Sequence, residues 1–368
     1  MKPLIPFVDL LAQYEELKDE IDSAIADTIR NSAFIGGKNV EDFEQRFSRL
    51  LGVKHCVSCA NGTDALYITL KALGLKSGDE VITTAHSWIS TSEAVTQAGG
   101  RVVFCDTTAD TFCINENLIE EKVTNKTVGL IPVHLYGHPA EMNKIMEIAS
   151  KYKLWVVEDC AQAHMASLQG KNVGSFGNAA TFSFYPGKNL GAMGDAGAII
   201  TNDDNLAEWI SLFSKHGGKG KHVIEGINSR MDGIQAAILN AKMPHLGEWT
   251  TARRNAASYY TKKLAQMTEI SSPISRNEAF HVFHLYTLLC NRRDELRIFL
   301  KNHGVETNIN YPVALPFLPA YAYLSSFANQ FPIAYSNQSR ILSLPLFPEI
   351  SRDQQDYVCE LISRFYAN

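Results

Sequence analysis

The chain has 368 residues, 45 % hydrophobic and 20 % charged, with 34 basic against 39 acidic side chains and a net charge of -5. That length exceeds what one hydrophobic core usually sustains, so a large domain and a smaller one are expected. The apolar content excludes disorder across the whole chain, and the mild acidic balance gives no electrostatic reason to bind nucleic acid. A first helix is predicted where Leu10, Tyr14, Leu17, Ile21, Ile25 and Ile29 recur three or four apart, with Asp9 capping its start and Arg30 suiting its end. Phe34-Ile35-Gly36-Gly37 marks a turn. Val40, Phe43, Phe47 and Leu50 then form one face of a second helix.

From residue 55 the pattern alternates. Strands are predicted at 55–60, 80–83, 101–105, 128–133, 154–157, 180–184 and 197–201, with helices at 63–73, 90–98 and 141–152. Strand, helix, strand at this spacing implies a mostly parallel sheet covered on both faces. Ligands in such sheets sit outside the carboxyl ends of the strands. After about residue 245 the character changes, which places a large domain at 1–245 and a small one at 246–368. A long helix is predicted at 246–264, a strand at 284–290 and a helix at 292–303. Pro312, Pro316 and Pro319 mark an irregular segment, and a strand and a last helix fit in 341–366.

No stretch reaches the roughly 18 apolar residues of a membrane span, and the first residues lack the basic start and apolar core of a signal peptide. A cytoplasmic location is expected. Seven cysteines, an odd number at low density, read as reduced thiols. The C-x-x-C at Cys56 and Cys59 has no second ligand pair at zinc spacing and lies in an apolar strand, so no metal site is expected. Pro186-Gly187-Lys188-Asn189 is not a P-loop, because Phe182 and Asn189 stand where Gly and Ser or Thr are needed.

Several polar groups nevertheless fall at one edge of the sheet. Asn61-Gly62-Thr63 opens a helix whose free N–H groups favour a phosphate, although the same turn is also an ordinary helix cap. Glu158-Asp159 ends a buried strand, where a carboxylate needs a partner or caps a helix from Gln162 onward. Trp88 follows a strand, and Lys188 sits in a Gly-containing turn. Each alone has a bland explanation. Together they match what pyridoxal 5'-phosphate needs: a lysine amine to form a Schiff base, a carboxylate on the pyridine nitrogen, an aromatic ring to stack, and a phosphate cradle.

The chain resembles the DegT/DnrJ/EryC1/StrS sugar aminotransferases, a branch of the fold-type I pyridoxal phosphate enzymes. The motifs are CANGTDAL at 59–66, VEDCAQAH at 157–164, FSFYPGKNLGAMGDAG at 182–197, NSRMDGIQAAIL at 228–239 and YPVALPFLPAY at 311–321. The resemblance implies an α/β large domain with a mostly parallel seven-stranded sheet and a smaller α+β C-terminal domain. It implies that Lys188 is the cofactor lysine and acid–base, Asp159 contacts the pyridine nitrogen and Trp88 stacks on the ring. Gly62, Thr63 and Ser183 would hold the phosphate and Gln162 the ring hydroxyl. Asn228 would complete the phosphate site of the neighbouring subunit in a homodimer, and Tyr311, Arg230 and Tyr185 would meet the substrate.

The implied reaction moves an amino group from L-glutamate to a keto sugar linked to dTDP or UDP, for glycan, O-antigen or antibiotic biosynthesis. Lys188 stands where a few dehydrating relatives have His, which favours transamination. Asp64 in the phosphate loop resembles the 3-keto enzymes; 4-keto enzymes more often have Ala or Ser there. Asn310 and Pro316-Phe317 depart from the 3-keto pattern within the expected sugar pocket. A 4-keto sugar nucleotide, a cyclic polyol ketone and a non-catalytic binding protein on the same fold are the alternatives.

Overall fold

The computed structural model describes residues 4–218, 220 and 222–367. Two short helices open it, α1 (Leu10–Glu16) and α2 (Lys18–Arg30), followed by α3 (Lys38–Leu51). Asp9 caps α1 through a bond from Ala12 N. The single first helix predicted from the stripe is corrected here: Leu17 leaves helical geometry at φ -111°, ψ 18°. The apolar spacing continues across this break, so periodicity alone does not reveal it. Leu10 and Ile29, counted in that stripe, stay 43 % and 54 % exposed.

The large sheet holds β1 (His55–Cys59), β2 (Glu80–Thr84), β3 (Arg101–Cys105), β4 (Thr127–Ile131) and β5 (Trp155–Asp159). A small hairpin, β6 (Ser167–Leu168) and β7 (Lys171–Asn172), precedes its last strands, β8 (Ala179–Ser183) and β9 (Gly197–Thr201). The spatial order of the seven is β1-β9-β8-β5-β4-β2-β3. Only β9 runs antiparallel to its neighbours. Residues of period two sort to opposite faces. Ala198 and Ile200 pack with α3 side chains Phe43 and Phe47, whereas Ile199 packs on the other face.

Helices α4 (Gly62–Ala72), α5 (Ser90–Gln97) and α6 (Met142–Tyr152) follow β1, β2 and β4. Two helices not anticipated come next, α7 (Asp204–Phe213) and α8 (Gly233–Lys242). Asp203 caps α7 by accepting from Asn205 N and Leu206 N. No helix begins at Gln162, because residues 161–166 form turns; the helix-cap reading of Glu158-Asp159 is therefore dropped.

A second core follows α9 (Leu246–Leu264). Here β10 (Ile270–Ser271) pairs with β12 (Tyr286–Cys290), which pairs with β13 (Ile341–Leu344), all antiparallel. Between them β11 (Ala279–Phe280) joins the small hairpin. Helices α10 (Arg293–Asn302) and α12 (Arg352–Tyr366) supply Leu296, Leu300, Val358 and Ile362 to this core. Short α11 (Pro332–Asn337) is capped by Asp106, which accepts from Ile333 N and Ala334 N at 2.9 Å. Ile5 also belongs to the second core, bridged to Val305.

Candidate active site

The carboxyl ends of β1, β5 and β8 converge, and each delivers one part of the site. After β1, Asn61 caps α4 by accepting from Asp64 N at 2.8 Å. The next residue must be glycine: a Cβ on Gly62 would lie 2.7 Å from Ser183 Cβ at the end of β8. Thr63 Oγ1 lies 2.7 Å from Ser90 Oγ on α5. Free helix N–H groups, two hydroxyls and Ser183 thus line one small cradle, the chemistry that holds a phosphate.

Asp159 ends β5 in a buried position. Thr91 Oγ1 donates to its Oδ2 at 2.8 Å and Ala161 N to its Oδ1 at 3.1 Å. Both oxygens are thereby oriented, which offsets the cost of burying the carboxylate. Neighbouring Glu158 points the other way into the core. It accepts from Gly174 N, Phe176 N and Gly177 N, each at 2.8 Å, and pairs with His134 Nε2 at 3.1 Å. Because Ala140 N donates to His134 Nδ1, the His134 proton sits on Nε2 and faces Glu158. His134, Glu158 and Cys160 are close enough to suggest a metal, but the His and Glu donor atoms are already committed to these bonds.

Lys188 sits in the turn after β8, with its N–H donating to Tyr185 O at 2.8 Å. Burial pushes its amine down to about 8, opposed by the Asp159 charge. The adjoining histidines are held neutral: burial lowers His164 to about 3 and pushes His284 well below its usual value. His164 lies 5.4 Å from the rings of Phe182 and Phe184. His284 Nδ1 meets Asn189 Oδ1 at 3.2 Å.

The irregular segment predicted around Pro312 closes the site. Tyr311 OH accepts from Gln162 Nε2 at 2.9 Å, and Gln162 Oε1 accepts from Tyr136 N at 2.7 Å. Tyr311 N donates to His86 Nε2 at 3.1 Å, while Tyr136 OH donates to Asn310 O. The Trp88 ring lies 5.3 Å from that of Tyr311 and is 56 % exposed, an open aromatic face beside that tyrosine. Tyr185 is exposed beside the lysine turn.

Gly62, Thr63 and Ser183 thus share one cradle, Gln162, Tyr311 and Trp88 share one set of contacts, and Asp159 is close enough for its charge to act on both Lys188 and Tyr311. Asn228 and Arg230 are not joined to that group by any side-chain hydrogen bond among the described residues. Their neighbour Ser229 is anchored instead, donating to Asp64 Oδ2 at 2.7 Å and accepting from Ala60 N at 3.1 Å. Ser90, Thr91, Tyr136 and His86 were missed from sequence. The one available signal was Ser90-Thr91-Ser92, three polar residues buried in succession on a short helix. The C-x-x-C places Cys56 and Cys59 in cores on opposite faces of β1, which rules out a shared ligand, and all seven cysteines are free and buried.

The family model of the DegT/DnrJ/EryC1/StrS aminotransferases matches residues 15–363. The chain belongs to this family. It is 45 % identical to a "Pleiotropic regulatory protein" of Geobacillus stearothermophilus, over 99 % of both chains. It is 40 % identical to the dTDP-3-amino-3,4,6-trideoxy-alpha-D-glucose transaminase of Streptomyces venezuelae, over 96 % of this chain and 93 % of that protein. The structure of DesV from S. venezuelae with a ketimine intermediate superposes with a TM-score of 0.97 at 39 % identity, over 100 % of this chain and 99 % of that one. As a DegT/DnrJ/EryC1/StrS member the protein is a nucleotide-sugar aminotransferase that uses pyridoxal 5'-phosphate. The local chemistry fits that cofactor: a phosphate cradle that a single Cβ would fill, an oriented carboxylate, an open aromatic face and a lysine of depressed proton affinity.

Proposed function

We propose that the protein transfers the amino group of L-glutamate to a 3-keto sugar linked to dTDP or UDP. The observation that carries this is the occurrence of 3-amino sugar transaminases among its relatives, together with an oriented Asp159 and a low-pKa Lys188 at one strand edge. When bound, pyridoxal 5'-phosphate supplies the carbonyl that takes up the amine and the ring that withdraws electrons. Every other role falls to side chains. Lys188 Nζ would take the proton from the donor's α-carbon and hand it on from the same face, a task suited to an amine poised near neutral pH. Asp159 places negative charge at the pyridine nitrogen, Trp88 covers the ring and Gln162 meets its hydroxyl. Gly62, Thr63 and Ser183 hold the phosphate, and Tyr311, Tyr185 and Arg230 orient the sugar nucleotide.

The cradle makes a specific demand. Gly62→Ala drives a methyl against Ser183, so cofactor affinity is expected to fall about tenfold or more, together with a stability loss of about 1–3 kcal/mol. Fluorescence titration of the apoprotein with cofactor reads this directly.

The partner's Asn228 completes the phosphate site in a homodimer. Exposed Leu10, Leu11, Phe34 and Ile35 near the start of the chain support such an assembly. Mixing Lys188→Ala with Asn228→Ala subunits, each inactive alone, is expected to restore roughly a quarter of wild-type activity, since half the dimers would carry one intact site. No recovery after verified subunit exchange would show that the sites are not shared.

No helix among the described residues is long and apolar enough to cross a membrane, in keeping with a cytoplasmic enzyme. A panel of dTDP- and UDP-linked 3-keto and 4-keto sugars, offered with L-glutamate, tests the substrate. Release of 2-oxoglutarate with a 3-amino product is the expected result. Amination of 4-keto sugars alone would overturn the 3-keto assignment. Bound cofactor with no half-reaction from any amino donor would favour a non-catalytic role, as the name of the Geobacillus relative suggests.

A further inference from the structure

A buried cation lies behind the lysine turn. Lys242, the last residue of α8, is 3 % exposed, and its Nζ donates to Gly191 O at 2.9 Å and to Gln13 Oε1 on α1 at 3.0 Å. Gly191 is the far end of the turn that begins at Pro186: a Cβ there would lie 2.2 Å from Pro186 O. The two ends of the turn therefore touch, with Lys188 at its middle. Glu349 lies close enough for its charge to favour the Lys242 ammonium. Arg253 also faces Glu349.

An ammonium is an expensive group to bury, and an apolar side chain would fill this space at lower cost. Here it is spent on one backbone carbonyl of the turn that carries Lys188. Gly191 cannot supply a side chain of its own to anchor the turn, because any Cβ would strike Pro186 O.

We propose that Lys242 is a positioning residue for the aminotransferase reaction: it clamps the closed turn Pro186–Gly191 through Gly191 O and so sets where Lys188 Nζ stands relative to Asp159. This rests on the assignment of Lys188 as the cofactor lysine. Lys242→Met keeps the length of the side chain and removes both donors and the charge. Lys188 then gains freedom to drift from its productive position, and ångström-scale misplacement is costly in rate. A Lys188 that drifts from Asp159 also loses the neighbouring charge that raises its proton affinity.

The test uses the cofactor-loaded protein. Lys242→Met is expected to lower kcat about tenfold or more, with KM for L-glutamate within about twofold. The pH midpoint of the bound cofactor's visible absorption is expected to fall by about half a unit or more, as Lys188 moves away from Asp159. Val358→Ala in the second core serves as a control that loses stability without moving the midpoint. An unchanged kcat and midpoint in Lys242→Met overturns the proposal, as does a kcat loss that Val358→Ala reproduces at matched stability. Should Lys242→Met fail to fold, Lys242→Gln, which is too short to reach Gly191 O and carries no charge, is read in the same way: a kcat loss with a shifted midpoint and intact melting supports the clamp, and an unchanged kcat and midpoint overturn it. Borohydride reduction followed by mass spectrometry separates the two claims. Wild-type protein that does not retain cofactor on Lys188 refutes the lysine assignment; retention on Lys188 with an unshifted Lys242 variant refutes the clamp alone.

Discussion

The Lys188→Ala protein is expected to lose roughly four orders of magnitude or more in kcat while keeping its fold, because in the proposed reaction Lys188 is both the covalent anchor and the proton carrier. Single-turnover measurement with L-glutamate is the direct check, and the purified variant should also fail to retain cofactor after borohydride reduction. Residual activity within a factor of ten of wild type would remove Lys188 from the mechanism. The same amine predicts a pH effect on stability. Its folded value is about 8, below the ordinary 10.5 of lysine, because burial disfavours the charged form. Between those values the unfolded chain binds more protons than the folded one, so stability rises with pH. Below 8 both states are protonated and the folded state carries the full penalty. A cofactor-free Lys188→Met protein should therefore melt above wild type at pH 7, and the gap should close as pH rises from 8 to 10.5. A gap that stays constant across that window would show that burial does not penalise the charged amine.

Asp159→Asn is expected to cost about a hundred- to a thousand-fold in kcat. The change is nearly isosteric, yet it removes the charge that the proposed mechanism places at the pyridine nitrogen. Thr91 gives a graded companion. Its hydroxyl fixes Asp159 Oδ2, so Thr91→Val should cost about tenfold in kcat, near the worth of one hydrogen bond to a charged group. Melting curves distinguish this from unfolding: both variants should stay within a few degrees of wild type. An Asp159→Asn enzyme with unaltered kcat would mean that the strand-end carboxylate has no electronic role.

These two residues were readable because strand-end logic points at them. Lys188 and Asp159 each follow a short apolar run, and ligands of parallel sheets collect there. Strands β3 and β9 were legible to the residue for a similar reason, each carrying a short apolar run closed by a polar residue. Helix α8 was not, since Ala236, Ala237, Ile238 and Leu239 are buried in succession and leave no stripe for a periodicity to detect. The bonds from Thr91 to Asp159 and from Ser229 to Asp64 join residues 68 and 165 positions apart, which no local pattern records. The break at Leu17 was hidden because the apolar spacing runs straight through it.

The pairing of Ile5 with Val305 has a consequence for how the protein is made. Three hundred residues separate the two, so at synthesis rates of about 5–20 residues per second Ile5 leaves the ribosome roughly 15–60 s before its partner exists. The second core therefore cannot be completed in the order of translation. Its first contributor must wait, unprotected and apolar, until nearly the whole chain has emerged.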